Sequence, residues 1–235
     1  FSKINEIKNI KKKKFYKNFK FYRSEDLFEV ITRLKGKYFC VDYNTCSLFN
    51  ENIIKSKFII KEVTDPCYLL KSIKNKIEIK NMKQAHIYDG VALTKFLYWI
   101  KKTSIKNLNE LKIEKKLENF RKKNKKYLYP SFNTIAGSGP NGAVIHYRAN
   151  KYSNRKLKKN ELLLCDSGGQ YKYGTTDVTR TICFNKPSNY IKNIYTRVLK
   201  GHIAVATTNL NKIKLGSEID KRARKWLKDI NLDYA

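Results

Sequence analysis

With 235 residues the chain can hold one domain of moderate size, or one domain and part of another, and its 41% apolar content excludes a wholly disordered polymer. Lysine and arginine outnumber aspartate and glutamate by 51 to 20, a formal charge of +31. The excess is mostly lysine spread through nearly every segment, not an array of arginines and aromatics, so no dedicated nucleic-acid or membrane partner is expected. Lys11 to Lys14 is the one compact basic run and reads as a solvated tail or loop. Cys40, Cys46, Cys67, Cys165 and Cys183 form no close ligand pair and an odd total, which favours a reducing compartment over a disulfide scaffold. No continuous transmembrane run and no signal-peptide pattern is visible.

In chain order, Lys37 to Asp42 reads as a short strand entering a polar turn at Tyr43 to Thr45, and Phe58 to Ile60 gives another apolar patch. Asp65-Pro66 marks a break, because proline disfavours helix at the residue before it. A domain junction is expected between residues 74 and 83, dividing the chain into 1–75 and 76–235. Met82, Ala85, His86, Asp89, Leu93, Phe96, Leu97 and Ile100 recur at helical spacing, and this helix is expected to end before the polar stretch at 101–109. A second helix is predicted from Leu111 to Lys122 through Ile113, Leu117 and Phe120. From Tyr127 to Tyr147 the pattern turns extended and rich in loops, and a basic interruption follows at 151–160. After Pro187, Ile191, Ile194, Tyr195, Val198, His202 and Val205 predict a long helix, and Ser217 to Ile230 another. These predicted helices and strands make an α/β (α+β) chain, and no internal repeat is evident.

The segment of greatest chemical interest runs from Asp166 to Arg180. Asp166 ends the apolar run Leu162 to Cys165, and Asp177 opens a second run through Val178, Ile182 and Phe184. Two strands joined by the intervening turn formers could bring both carboxylates to one point. Hard divalent cations favour such oxygen ligands. Either aspartate, taken alone, serves equally well as a turn cap or a surface ion-pair partner. Thr176, Thr179 and Arg180 are candidates to orient the pair through hydrogen bonds. Gly137, Gly139 and Gly142 read as loop formers around a pocket and lack the order of a phosphate loop. His146 follows an apolar stretch, where a histidine is commonly structural. His86 and His202 fall in helices and are assigned to packing or polar bridging.

Ser131 to Tyr147 followed by Asp166 to Arg180 resembles the eukaryotic aminopeptidase P branch of the creatinase/methionine-aminopeptidase superfamily. Val198 to Val205, Leu232 to Tyr234, Asp65-Pro66, Gln84 to Leu93 and Trp99 fit the same group, so the resemblance runs from about Asp65 to Tyr234. It implies a partial pita-bread catalytic domain at 76–235, preceded by the end of a noncatalytic creatinase-like domain at 1–75. It also implies an enzyme using two manganese ions to remove the first residue of peptides whose second residue is proline. In that family Asp166 would chelate one metal, Asp177 would bridge both, and His146 would line the substrate site and help to position the peptide. A further histidine, two glutamate ligands and another substrate-site histidine are expected beyond residue 235. The chain is therefore expected to be an incomplete copy and inactive in isolation. A homodimer and a cytoplasmic location are implied for the complete protein, with organellar targeting left open because the sequence starts at Phe1. The alternatives are a noncatalytic pita-bread protein acting in protein or RNA binding, and a basic accessory protein associated with RNA or membranes.

Overall fold

The computed structural model describes residues 20–213 and 215–234; Lys11 to Lys14 lie outside the described residues. Residue contacts divide the chain into two units, 1–75 and 76–235.

In the first unit, helix α1 (Leu27–Arg33), strand β1 (Tyr38–Val41), helix α2 (Leu48–Lys55), strand β2 (Ile59–Glu62) and helix α3 (Pro66–Ser72) follow in order. The two strands are parallel, with Tyr38 opposite Ile59 and Val41 opposite Glu62. Ile31, Val41, Ile54 and Phe58 form their small buried core. Ser47 caps α2 by accepting from the Asn50 N–H, and Asp65 caps α3 by accepting from the Cys67 N–H. Proline at the first helical position costs no hydrogen bond, so Asp65-Pro66 starts a helix as well as breaking the chain before it. Neither α1 nor α2 was expected from the sequence.

The second unit opens with α4 (Lys76–Lys102), which starts before the apolar periodicity does. Its buried residues Asp89, Ala92, Leu93, Phe96 and Ile100 fall at helical spacing. Helix α5 (Glu110–Lys122) buries Glu110, Ile113, Leu117 and Arg121 in the same way, and Asn109 caps it through the Lys112 N–H at 2.9 Å. Strands β3 (Tyr127–Pro130), β4 (Ile135–Ser138), β5 (Leu162–Ser167), β6 (Gly169–Tyr171), β7 (Gly174–Thr175) and β8 (Val178–Cys183) form two sheets, ordered β3-β6-β7 and β4-β5-β8. The double-aspartate segment is therefore more than a hairpin. Its outer strands β5 and β8 pair in one sheet, while the excursion between them builds β6 and β7 of the other. Helices α6 (Asn189–Ala206) and α7 (Gly216–Lys228) complete the unit, with Ser188 capping α6.

Strand alternation fixes where the chemistry sits. Leu163, Cys165 and Ser167 of β5 are buried, and they join α4, α5, Ala136 of β4 and Ile182 of β8 around one core. The period of two leaves Leu162, Leu164 and Asp166 on the opposite face. Fully burying Phe96, Ile113, Leu117 or Leu163 contributes roughly 1.5–3 kcal/mol each.

A polar cluster interrupts this core. Arg121, 1% exposed, donates from Nε to Asp89 Oδ1 at 2.6 Å and from Nη2 to Asp89 Oδ2 at 3.1 Å and to Ser167 Oγ at 3.0 Å. The Tyr171 hydroxyl donates to Asp89 Oδ1 at 2.9 Å. Removing either charged partner leaves the other buried and uncompensated, at a cost of about 3–5 kcal/mol. Asp89→Ala and Arg121→Ala should each lower stability by that amount, and the Asp89→Leu/Arg121→Met pair should recover most of it. Urea unfolding followed by tryptophan fluorescence checks this directly, since Trp99 and Trp226 both lie in the second unit.

Candidate functional site

The site is built where β5 and β8 run side by side. Asp166 pairs with Thr179 across the ladder, on the face turned away from α4 and α5. Thr179 Oγ1 donates to Asp166 Oδ1 at 2.8 Å, which orients that carboxylate from the neighbouring strand. Asp177 lies just before β8, between Thr176 and Val178. Its carboxyl is held above the usual carboxylate range, first by partial desolvation, then by the charge of Asp166 and a hydrogen bond to it. Asp166 and Asp177 thus lie within hydrogen-bond reach of each other.

The backbone enforces this approach. Gly168 follows β5, and a β-carbon there would fall 2.0 Å from the Thr176 carbonyl oxygen and 2.2 Å from Ser131 Oγ. Ser131 Oγ donates to that same carbonyl at 2.8 Å, and Thr176 Oγ1 accepts from the Gly169 N–H at 2.9 Å. Thr176 thus braces the turn that delivers Asp177 through Ser131 and the Gly169 backbone, not through a carboxylate of the pair. Arg180 Nη1 donates to the Thr179 carbonyl at 2.7 Å and supports the strand instead of either aspartate. Of the three residues expected to orient the carboxylates, Thr179 does so directly. Beneath Asp166, burial pushes the Cys165 thiol up to about 12, so it stays protonated and inert.

Neither aspartate forms an ion pair with a lysine or arginine among the described residues. Two adjacent carboxylates without a counter-ion, one of them pre-oriented by a hydroxyl, make a donor set suited to a hard divalent cation. They supply part of such a set only. Among the described residues no group of three or more His, Cys, Asp or Glu side chains is placed to hold a metal ion.

His146 is the third candidate. It lies in an exposed turn beyond the 3₁₀ segment Gly139–Ala143, at φ 55°, a left-handed conformation uncommon for a residue with a β-carbon. His86 is exposed on α4, with Nδ1 2.9 Å from the Met82 carbonyl oxygen, a local polar bridge. His202 does not pack as expected. It is exposed on α6 and lines an open hollow of about 610 Å³ together with Asp177, Thr179, Tyr195 and Val198. Of the apolar residues that predicted this helix, Tyr195 and Val198 are exposed, while Ile191, Ile194 and Val205 are half-buried. Sequence periodicity could not show this, because a helix pattern marks a face without saying what lies against it.

Three comparisons extend this geometry. Residues 80–235 match the model of metallopeptidase family M24. The Xaa-Pro aminopeptidase ApepP of Drosophila melanogaster is 45% identical over 192 residues, covering 81% of this chain and 31% of that protein. A probable Xaa-Pro aminopeptidase P of Phaeosphaeria nodorum is 41% identical over 178 residues, covering 74% of this chain and 27% of its own length. The chain thus spans less than a third of either curated relative. Among solved structures, the X-prolyl aminopeptidase of Caenorhabditis elegans, described as a cytosolic enzyme with a di-nuclear active site, superposes with a TM-score of 0.77 at 29% identity. That match covers 91% of this chain and 36% of the other. Prolidase from Pyrococcus furiosus, at 24% identity and a TM-score of 0.72, shares the fold. The mixed helix-and-strand architecture is the pita-bread fold of these enzymes, present here in part.

Gly168→Ala tests the brace behind the carboxylate pair. Its β-carbon must displace backbone, so the variant should lose about 1–3 kcal/mol, measured by urea unfolding. Unchanged stability would mean that the turn is not closed as described.

Proposed function

The chain belongs to metallopeptidase family M24, and we propose that the protein it contributes to removes the N-terminal residue from peptides with proline at the second position. The observation that carries this reading is the meeting of Asp166, on the β5–β8 ladder, with Asp177 just before β8, neither paired with a described lysine or arginine. The Xaa-Pro aminopeptidase names of the Drosophila and Phaeosphaeria relatives support the peptide class. The di-nuclear site of the Caenorhabditis enzyme supports a two-metal centre.

In this reading Asp166 and Asp177 would together hold divalent cations as part of a larger ligand set. Bound divalent cations supply a Lewis acid for the scissile carbonyl and make water acidic enough to attack near neutral pH. Thr179 holds Asp166 at the angle needed for ligation, and Gly168 lets Thr176 and Asp177 approach. His146, exposed on its turn, donates a hydrogen bond to the bound peptide and orients it. Manganese as the metal and a homodimer belong to the same reading. So does a cytosolic setting, which the description of the Caenorhabditis enzyme supports. Among the described residues no helix is long and apolar enough to cross a membrane.

The test uses the protein at its native length. It should release the first residue from a peptide with proline second, lose this activity to a chelator and regain it with manganese. Asp166→Asn should abolish turnover, and His146→Ala should lower it by about 10²-fold. Thr179→Val should weaken manganese binding roughly tenfold, read by calorimetric titration. No hydrolysis, together with salt-sensitive RNA binding, would favour a noncatalytic pita-bread protein instead.

A further inference from the structure

The loop that carries His146 is closed by one buried carboxylate from another element. Glu110, the first residue of α5, is 0% exposed, and no described lysine or arginine side chain pairs with it. Loop donors surround it instead. Oε1 accepts from the Ser138 N–H at 2.8 Å and from Asn141 Nδ2 at 3.0 Å. Oε2 accepts from the Tyr147 hydroxyl at 2.7 Å and from the Arg155 N–H at 2.8 Å. These donors mark the end of β4, the 3₁₀ segment, the residue after His146 and the returning chain.

The return is fastened at the same helix end. The Glu110 N–H donates to the Arg155 carbonyl at 3.2 Å, and the Leu111 N–H donates to Asn154 Oδ1 at 3.2 Å. A negative charge in the first turn of α5 is also favoured by the helix dipole. The whole excursion from Ser138 to Arg155 thus closes on one side chain. His146 lies within it at a left-handed backbone angle, one residue from the tyrosine that Glu110 holds. Such a backbone conformation persists only where its surroundings impose it.

We propose that Glu110 is a positioning residue for His146: through Tyr147 and Arg155 it fixes the loop in the conformation that presents the imidazole. The inference rests on the substrate-site reading of His146 given above, but it can be measured without it. In a histidine-labelled NMR spectrum of the native-length protein, the signals of His86, His146 and His202 are each assigned by their loss in the corresponding alanine variant. Glu110→Gln keeps the side-chain size but turns an amide donor toward N–H groups that cannot reverse. Its expected effect is a shift of the His146 Cε1–H signal toward the free-imidazole position, with the loop's backbone order parameters falling below about 0.6. His86 and His202, on α4 and α6, should not move.

Tyr147→Phe removes a single link and should shift the His146 signal in the same direction by less; it decides the matter if Glu110→Gln does not fold. An unmoved His146 signal in the folded Glu110→Gln chain, or in Tyr147→Phe where that chain fails to fold, overturns the proposal. At native length, Glu110→Gln should lower kcat for peptide hydrolysis toward the His146→Ala value. If His146→Ala itself hydrolyses peptide at the full rate, the functional reading of His146 fails, while the NMR result still decides whether Glu110 anchors the loop.

Discussion

The junction of α4 and α5 with β5 and β6 is organised around the buried pair Asp89–Arg121. Desolvating a carboxylate and a guanidinium costs several kcal/mol per ion, and only complete hydrogen bonding offsets it. Here the guanidinium engages both oxygens of Asp89 and the Ser167 hydroxyl, while Tyr171 adds a bond to the same carboxylate. The pair therefore ties α4 and α5 to β5 and β6 at a point next to Asp166. A slip of β5 by one residue would turn Asp166 into the core and break this lock. The hydrophobic contacts around it are interchangeable in kind, whereas the fork admits one register.

A second buried carboxylate works in the same way at the other end of α5. Glu110 gathers the N–H and O–H groups of a loop that has few apolar contacts of its own. One helix thus carries two polar anchors, Arg121 facing the strand of the metal-site candidate and Glu110 facing the loop of the substrate-site candidate. The residues read as chemical, His146 and Asp177, are themselves exposed, and their geometry is set by buried groups behind them. This division is expected where a site must be open to substrate and still fixed in shape.

The legible parts of the fold were those in which burial and periodicity coincide. Helix α5 was readable from Ile113 and Leu117 and the core half of α4 from Phe96 and Ile100, whereas α6 was readable from an apolar stripe that is at most half-buried. The first turns of α4 were not, because Ile77 and Ile79 alternate at a strand-like spacing and are both exposed. Short α1 and α2 escaped for a similar reason: Phe28, Leu48 and Phe49 are exposed, so their apolar residues mark no consistent face. The convergence of Asp166 and Asp177 followed from two strand-like runs with a turn between them, although not the second sheet built by that turn. Glu110 and Arg121 were invisible as anchors, since charged residues on an amphipathic helix are normally solvated. Burial of a charge is decided by partners distant in sequence: Asp89 lies 32 residues from Arg121, and Arg155 lies 45 from Glu110.

On the proposed reading, Asp166 and Asp177 jointly hold divalent cations. Electron paramagnetic resonance of the native-length protein titrated with manganese tests it most directly. Two cations per chain with a spin-coupled signal, replaced by an uncoupled signal in Asp177→Asn, is the predicted result. One cation per chain, or coupling that persists in Asp177→Asn, would contradict the claim.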